Sequence, residues 1–217
     1  MSAATVAADL EVRLGGLDTP LGPTDYPGPT DERSVTAAFG FWIFLLSDAI
    51  IFGALFATYA VLRDATAGGI TIARLADFKT VAIETGCLLT SSFACGIGMI
   101  AADRQRAGLV YAALGLTFVL GLAFLGLELN EFAHLIGEHK GPDRSAFLSA
   151  FFALVGTHGL HVTMGLLWLG GLLFRLWRMG FTPGTQRGFL LFGLFWHLID
   201  IVWVGVFSVV YLMGASK

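Results

Sequence analysis

The sequence predicts an all-α integral membrane protein whose five transmembrane helices form an antiparallel bundle. The 217 residues are 56% hydrophobic and only 13% charged, and the mean hydropathy is +0.76, a composition typical of polytopic membrane proteins. Five apolar segments are each long enough to cross a hydrocarbon core of about 30 Å. The loops between them are short, which favours antiparallel neighbours.

Residues 1–38 are predicted to form a mobile polar N-terminal tail, and residues 39–217 the five-helix transmembrane domain. Four prolines and two glycines fall between positions 20 and 29 of the tail, where they would break a helix. The tail has no basic region followed by a compact apolar core, so a signal peptide is not expected. The first membrane helix is therefore expected to act as the insertion signal and to stay in place.

The apolar segments end where glycine, proline or charged residues lower the hydropathy. In chain order they are Phe39–Leu62, Val81–Ala102, Leu109–Leu129, Phe147–Phe174 and Phe189–Met213, and the first loop contains the breaker Gly68-Gly69. Lysine and arginine number seven in the tail and the second and fourth loops, against six on the opposite side. This small excess favours a cytoplasmic N-terminus and a periplasmic C-terminus.

Charge and cysteine content exclude other classes of protein. The net charge of −3 arises mainly in the tail, and the rest of the chain is near neutral, so no nucleic-acid partner is predicted. Cys87 and Cys95 are eight residues apart on one predicted helix, about 12 Å along its axis, which is too far for a disulfide bond. Their number and spacing do not indicate a metal site.

Ionisable side chains at bilayer depth are costly unless they are paired, protonated or hydrated, so each one is a candidate for a structural or functional role. The candidates are Asp48, Glu84, Glu128, His158, His161, His197 and Asp200. His158 and His161 share one helical face among small residues, and we expect this face to contact protein rather than lipid. Glu84 is either a neutral carboxyl that stabilises helix contacts or a group with a lipid-headgroup or proton-related role.

Two further patterns predict local pairs. Glu128, Glu131 and His134 form one stripe at the end of the third helix, where they could share a hydrogen bond or ion pair or hold a divalent ion. His197 and Asp200 also share a face, and the carboxylate is expected to hydrogen-bond the imidazole. Metal or haem binding is the alternative for these histidines, but the set is sparse, and a di-iron bundle requires a second Glu-x-x-His pair.

Three stretches of the chain closely resemble subunit III of haem–copper terminal oxidases. They are FGFWIFLLSDAIIFGALFATYAVL, GPDRSAFLSAFFALVGTHGLHVTMG and FWHLIDIVWVGVFSVVYLMG. The resemblance covers Phe39–Gly214. The five-helix form with a Gly-Pro-Asp-Arg loop is similar to the cytochrome o ubiquinol oxidase branch of this family. Longer members of the family have seven helices around a lipid-filled cleft, and this chain lacks the first two.

This resemblance implies a non-catalytic third subunit of a proton-pumping complex of the bacterial cytoplasmic membrane. The complex would oxidise ubiquinol and reduce dioxygen to water in aerobic electron transport. Haem and copper would belong to partner subunit I, and subunits II and IV and membrane lipids would be the other partners. This chain would then bind phospholipid but carry no cofactor, metal or redox centre of its own.

The resemblance also implies roles for individual residues. Glu84 matches the membrane glutamate that lies near bound phospholipid in the family. The other matches are His158 and His161 in a Gly-x-His-Gly-Leu-His motif, His197 and Asp200 in a Phe-Trp-His-x-x-Asp motif, and Glu128 and Glu131 at the acidic end of the third helix. In the family these residues support packing, lipid binding and sustained proton uptake by subunit I, and none is catalytic.

Two alternatives stay open from the sequence. A cytochrome c oxidase with a short third subunit would share the same motifs, since the groups that bind the electron donor lie on other subunits. An independent membrane metalloenzyme would use Glu131, His134, His158 and His161. A transporter would instead predict broken helices in two matched halves, a pattern that this sequence lacks.

Overall fold

The computed structural model describes residues 32–67 and 78–212, which form five long α-helices joined by short loops. In chain order the helices are α1 (Glu32–Leu62), α2 (Phe78–Asp103), α3 (Ala107–Gly137), α4 (Ala146–Met179) and α5 (Pro183–Val206), and a π-helical turn (Phe207–Leu212) continues α5. All five are long and apolar enough to cross a membrane. The predicted fold class is therefore confirmed.

The first four helices are longer than the apolar segments that predict them, and α5 begins six residues before its segment. α1 begins at Glu32 rather than at Phe39, and α3 continues beyond Leu129 to Gly137. A helix keeps its backbone hydrogen bonds after it leaves the hydrocarbon region, whereas hydropathy reports only its apolar part. Residues 32–38 of the predicted tail form the start of α1, while residues 1–31 and the Gly68-Gly69 breaker lie outside the described residues.

Local chemistry sets the boundary between α4 and its neighbours. Ser145 precedes α4 in an extended conformation, and its Oγ accepts the backbone N–H of Leu148 at 3.2 Å. Gly180 ends α4 with a φ of 70°, which glycine adopts without the strain of a Cβ atom. Thr182 then caps α5 by accepting the backbone N–H of Thr185 at 3.1 Å, and a proline in the first helical turn favours the same start.

α4 and α5 form the centre of the bundle. α4 packs against α1, α3 and α5, and α5 packs against α1, α2 and α4. A three-residue turn joins α2 to α3, and these two helices share the most extensive contact in the bundle. α1 contacts chiefly α4 and α5, and most of its large apolar side chains face outward. The outer face of α1 is therefore available to lipid or to another protein.

Small residues allow one large aromatic side chain of α5 to enter this centre. Trp196 is 1% exposed. A Cβ atom at Gly165 of α4 would lie 2.9 Å from Trp196 Cζ3, and one at Gly121 of α3 would lie 3.1 Å from Trp196 Cη2. Both glycines thus make room for the indole, as small residues commonly do where membrane helices approach closely.

Candidate functional site

Each of the five helices contributes one buried aspartate, glutamate or histidine side chain to the interior of the bundle. All five are at most 7% exposed. In helix order they are Asp48, Glu84, Glu128, His158 and Asp200. Desolvation of ionisable groups is expensive in a membrane protein, so a buried set of this kind marks the region where a functional role is expected.

Glu84 and Glu128 lie on the neighbouring helices α2 and α3 and interact electrostatically with each other and with Glu131. Within the described part of the chain, neither carboxyl oxygen of Glu84 has a hydrogen-bond partner, and the same is true of Glu128 Oε2. Three neighbouring carboxylates would repel one another strongly in a medium of low dielectric.

The carboxyl group of Glu128 rests on the backbone of α4 at Gly159. A Cβ atom at Gly159 would lie 2.5 Å from Glu128 Oε1 and 2.9 Å from Glu128 Cδ. These distances are shorter than van der Waals contacts, so the glycine is required for Glu128 to occupy its position. The contact fixes how closely α3 can approach α4.

The imidazole of His158 is fully buried in a box of aromatic rings. Its ring centroid lies 5.0 Å from that of Trp203, 5.6 Å from that of Phe124 and 6.5 Å from that of Phe52. These rings belong to α5, α3 and α1. Neither ring nitrogen of His158 has a hydrogen-bond partner among the residues that the structure describes. Within the described part of the chain His158 therefore contacts the bundle through ring packing, and its predicted polar contact stays a prediction.

His161 lies one turn further along α4 and has different neighbours. Its Nδ1 is 2.7 Å from the carbonyl oxygen of Thr157, and its Nε2 is 3.8 Å from Asp48 Oδ2 on α1. The ring of Phe52 is near both histidines of the face, at 6.5 Å from His158 and 5.1 Å from His161. The predicted histidine face thus meets protein, but its two members do not form a joint site.

The predicted hydrogen bond between His197 and Asp200 is wrong. His197 Nδ1 lies 2.8 Å from Ser92 Oγ on α2, and the carboxyl group of Asp200 also lies near Ser92, although neither of its oxygens meets the geometry of a hydrogen bond in the described ranges. Three residues along a helix correspond to about 300° of rotation, so the two side chains diverge by about 60°. Ser92, which is on the neighbouring helix, is closer to the imidazole.

Hydrogen bonds between α2 and α5 are the main feature that sequence analysis missed. Trp196 Nε1 donates to Ser91 Oγ at 3.1 Å, and Trp203 Nε1 donates to Thr85 Oγ1 at 3.1 Å. With the bond to Ser92, they join the two helices over two turns. The seven-residue spacing of the two tryptophans, opposite a serine- and threonine-containing helix, was a usable signal, because a buried indole N–H requires an acceptor.

Replacing Ser92 by alanine is expected to lower the free energy of unfolding of the chain by about 1 kcal/mol, because His197 loses its hydrogen-bond partner. Thermal unfolding of the purified chain in detergent micelles measures the change. Thr90→Ala is the matched control, since Thr90 is exposed on the same helix. Equal unfolding temperatures for Ser92→Ala and the control would show that this bond does not stabilise the bundle.

The predicted stripe of Glu128, Glu131 and His134 runs from the interior of the bundle to its surface. Glu128 is 2% exposed, Glu131 is half-buried, and His134 is exposed. His134 Nε2 lies 3.6 Å from Glu138 Oε1, just beyond the end of α3. The imidazole therefore lies on the last turn of α3, near the following loop, and does not join the buried carboxyls.

The loop between α3 and α4 is held by short-range polar contacts. Lys140 Nζ donates a hydrogen bond to Glu138 Oε2, and this bond lowers the pKa of the Glu138 carboxyl below its ordinary value. Ser149 Oγ donates to the carbonyl oxygen of Pro142, which ties the Gly-Pro-Asp-Arg segment to the first turn of α4. His139 adopts a positive φ of 57°, so the chain turns sharply before that segment.

The described residues contain no group of three or more histidine, cysteine, aspartate or glutamate side chains that could hold a metal ion. His158 lies in the aromatic box, His161 lies near Asp48, and His134 lies on the exposed last turn of α3. Because these side chains do not converge, the four-residue metal set of the alternative metalloenzyme, Glu131, His134, His158 and His161, does not form among the described residues.

Comparison with a family model and with individual proteins gives matches to the third subunit of terminal oxidases in each case. Residues 32–215 match the family model described as cytochrome c oxidase subunit III. The cytochrome bo(3) ubiquinol oxidase subunit 3 of Pseudomonas aeruginosa is 51% identical over 177 residues, which cover 82% of this chain and 85% of the relative. The quinol oxidase subunit 3 of Bacillus subtilis is 42% identical over 192 residues, with coverages of 88% and 93%. The cytochrome c oxidase subunit 3 of Alkalihalophilus pseudofirmus is 42% identical over 203 residues, with coverages of 93% and 98%.

Proposed function

The chain belongs to the cytochrome c oxidase subunit III family, and from this premise we propose that it is subunit III of a proton-pumping ubiquinol oxidase in aerobic electron transport. The observation that carries the proposal is the 51% identity to a relative named as subunit 3 of a bo(3) ubiquinol oxidase. The relative named as a cytochrome c oxidase subunit is 42% identical. Ubiquinol therefore has more support than cytochrome c as the electron donor of the complex.

In this proposal the chain has no redox centre, and haem and copper are held by subunit I. The donor set of the described residues does not fit either group, because the two histidines of α4 have separate surroundings and the histidine of α5 bonds a serine. Subunits II and IV complete the complex. The rival proposal of an independent metalloenzyme has little support, because its four proposed ligands do not converge.

The proposed role of the chain is to support assembly, lipid binding and sustained proton uptake by subunit I. The exposed apolar face of α1 would contact lipid or a partner subunit, and the buried ionisable side chains would fix the relative positions of the helices. We place the complex in the bacterial cytoplasmic membrane, with the N-terminus cytoplasmic and the C-terminus periplasmic. The distribution of lysine and arginine supports this orientation.

Glu84 is the residue through which we propose that the chain influences lipid binding or proton supply. Its side chain is fully buried, so an effect on lipid would act through the packing of α2 rather than through direct contact with a headgroup. Replacing Glu84 by glutamine conserves the shape of the side chain and removes its ability to ionise. We expect the complex to assemble, but to retain less phospholipid or to lose activity faster during prolonged turnover.

The measurements are quantification of phospholipid per complex and the decay of oxygen consumption during turnover. Glu128→Gln makes the same chemical change on α3 and separates a general effect of carboxyl loss from one specific to α2. Loss of the assembled complex in Glu84→Gln would show that the carboxyl mainly stabilises packing. Unchanged lipid content and unchanged decay of activity would contradict the proposed role.

The proposed function as a whole is tested by purifying the native complex through a tag on this chain in a mild detergent. An optical spectrum and mass spectrometry of the co-purified proteins should show haem absorbance together with a large polytopic partner. The absorbance should stay with the partner when this chain is stripped away. Isolation of the chain alone with stoichiometric iron or zinc would contradict the proposal and support the metalloenzyme.

A further inference from the structure

One end of the bundle carries a group of arginines on two adjoining turns. Near the start of α5, Gln186 Nε2 donates a hydrogen bond to the carbonyl oxygen of Ala102 on α2 at 3.0 Å, which joins the turn between α2 and α3 to the turn between α4 and α5. We call residues 103–106 and 175–187 the arginine surface. Its charged residues are Arg104, Arg106, Arg175, Arg178 and Arg187 against Asp103, which gives a net charge of +4.

The direction of the helices at this end also favours an anion. α3 and α5, both of which the structure describes throughout, begin here and have no acidic side chain in the first turn. Arg106 occupies the N-cap position of α3. A helix N-terminus has a partial positive charge, so an arginine is unfavourable there and an anion is favourable. The arginine surface therefore attracts a negatively charged partner through both its side chains and its helix ends.

The first helix starts at the same end of the bundle. The ring centroid of Phe41 on α1 lies 5.7 Å from that of Trp168 on α4, so these two residues are at a similar depth. Glu32, where α1 begins, is nine residues before Phe41, and Arg178 is ten residues after Trp168. These separations are about 14 and 15 Å along the two helix axes. Because α1 and α4 run in opposite directions, the start of α1 is level with the arginine surface.

The chain that precedes α1 has the opposite charge. Residues 1–31 contain five acidic side chains and one basic side chain, Arg13, so their net charge is −4. The acidic residues are Asp9, Glu11, Asp18, Asp25 and Asp31. This charge equals that of the arginine surface in magnitude and is opposite in sign. Attachment to the same end of the bundle gives such a segment an effective concentration on the order of millimolar, so pairs that are individually weak are sufficient for binding.

We propose that the acidic segment of residues 9–31 docks on the arginine surface and fastens the N-terminus to the two turns. Asp25 and Asp18 are seven and 14 residues before Glu32, and an extended chain of these lengths spans up to about 23 and 46 Å. This is enough to cross several helices with axes about 8–10 Å apart. Charge pairing needs no regular structure in the segment, whose prolines disfavour a helix. The proposal goes beyond the proposed oxidase function and does not depend on it, because the contact lies within one chain.

The test is carbodiimide cross-linking of the full chain in its native membrane. The reagent condenses a carboxyl group with an adjacent amine to form an amide, and takes up the water that is lost as it becomes a urea. The lysines of the chain, Lys79, Lys140 and Lys217, all lie outside the arginine surface. Arg178→Lys therefore places one new amine at an exposed position of the surface and conserves its charge. We expect mass spectrometry to find this amine joined to a carboxyl group of residues 9–31.

Arg144→Lys is the matched control, because it places the same amine in the exposed loop at the opposite end of the bundle and should give no product with residues 9–31. Charge dependence separates docking from random collision of a tethered segment. Raising the salt concentration from about 0.1 M to about 1 M shortens the Debye length from about 10 to about 3 Å and should lower the yield at position 178. Adding Arg104→Gln and Arg106→Gln to Arg178→Lys should lower this yield by about twofold or more, since each exposed ion pair contributes a small part of the binding.

Lys140 and Glu138 provide an internal standard for the reagent, because their side chains are hydrogen-bonded and should be joined in every sample. If that product forms and the amine at position 178 is joined to no carboxyl group of residues 9–31, the proposal is overturned, as it would be if lipid phosphate occupied the surface. Joining only to another protein would also overturn it and would identify the surface as an interface with that partner. A yield that is unchanged by salt and by the two glutamine substitutions would show tethering without docking.

Discussion

Replacing Trp196 by alanine is expected to destabilise the folded bundle by about 3–5 kcal/mol, the largest effect of any single change proposed for this chain. The indole is 1% exposed and is packed against Gly121 and Gly165 on two other helices. Its removal would leave a cavity where three helices meet and would also leave Ser91 without its indole donor. Membrane helices associate mainly by van der Waals packing, so such a cavity directly weakens their contact.

The measurement is reversible unfolding of the purified chain in mixed micelles, followed by circular dichroism. Trp177→Ala is the matched control, because Trp177 is 70% exposed near the end of α4. Trp196→Phe separates the two contributions, since phenylalanine fills much of the space but donates no hydrogen bond. Equal stability of Trp196→Ala and Trp177→Ala would contradict the packing described for the bundle centre.

The second large effect is expected at Gly159. An alanine there would place its Cβ atom 2.5 Å from Glu128 Oε1, so the carboxyl group or one of the two helices must move. Overpacking of this kind typically costs about 1–3 kcal/mol. We expect α3 and α4 to separate, with weaker binding of this chain to the proposed oxidase complex.

Retention of the chain during detergent washing of the complex measures this effect. Gly171→Ala adds the same methyl group to α4 at a position with no atom within 4 Å, and it should behave like the wild type. Truncating the opposing side chain in the double variant Gly159→Ala with Glu128→Ala should restore retention. If the double variant is as weak as the single one, the cause is not the contact with Glu128.

The helices could be predicted from the sequence because the membrane simplifies the problem. A segment that spans the hydrocarbon region must be apolar and must satisfy its own backbone hydrogen bonds, so hydropathy alone identifies it. Prediction failed at the polar ends, such as the extension of α3 to Gly137. There the helix is in contact with water or headgroups, and the hydropathy of its residues no longer differs from that of a loop.

The partners of the buried polar side chains were harder to predict. Helical spacing correctly indicates that His197 and Asp200 lie on related faces, but it contains no information about the neighbouring helix. Ser92, the observed partner of His197, is 105 positions away in the sequence. The contact of Glu128 with Gly159 could not be predicted for the same reason. It joins two helices, and neither residue type nor spacing along one helix reveals which helices meet.

The position of α1 in the bundle has a consequence for biosynthesis. α1 is the first described helix to be synthesised, but it packs chiefly on α4 and α5, and α4 begins roughly 80 residues after α1 ends. At about 5–20 residues per second, ribosomes need about 4–16 s to produce that length of chain. During this interval Asp48 has not met His161, so α1 must wait in the membrane or beside the insertion machinery with an unpaired aspartate. The order of synthesis therefore makes docking of α1 a late step in assembly.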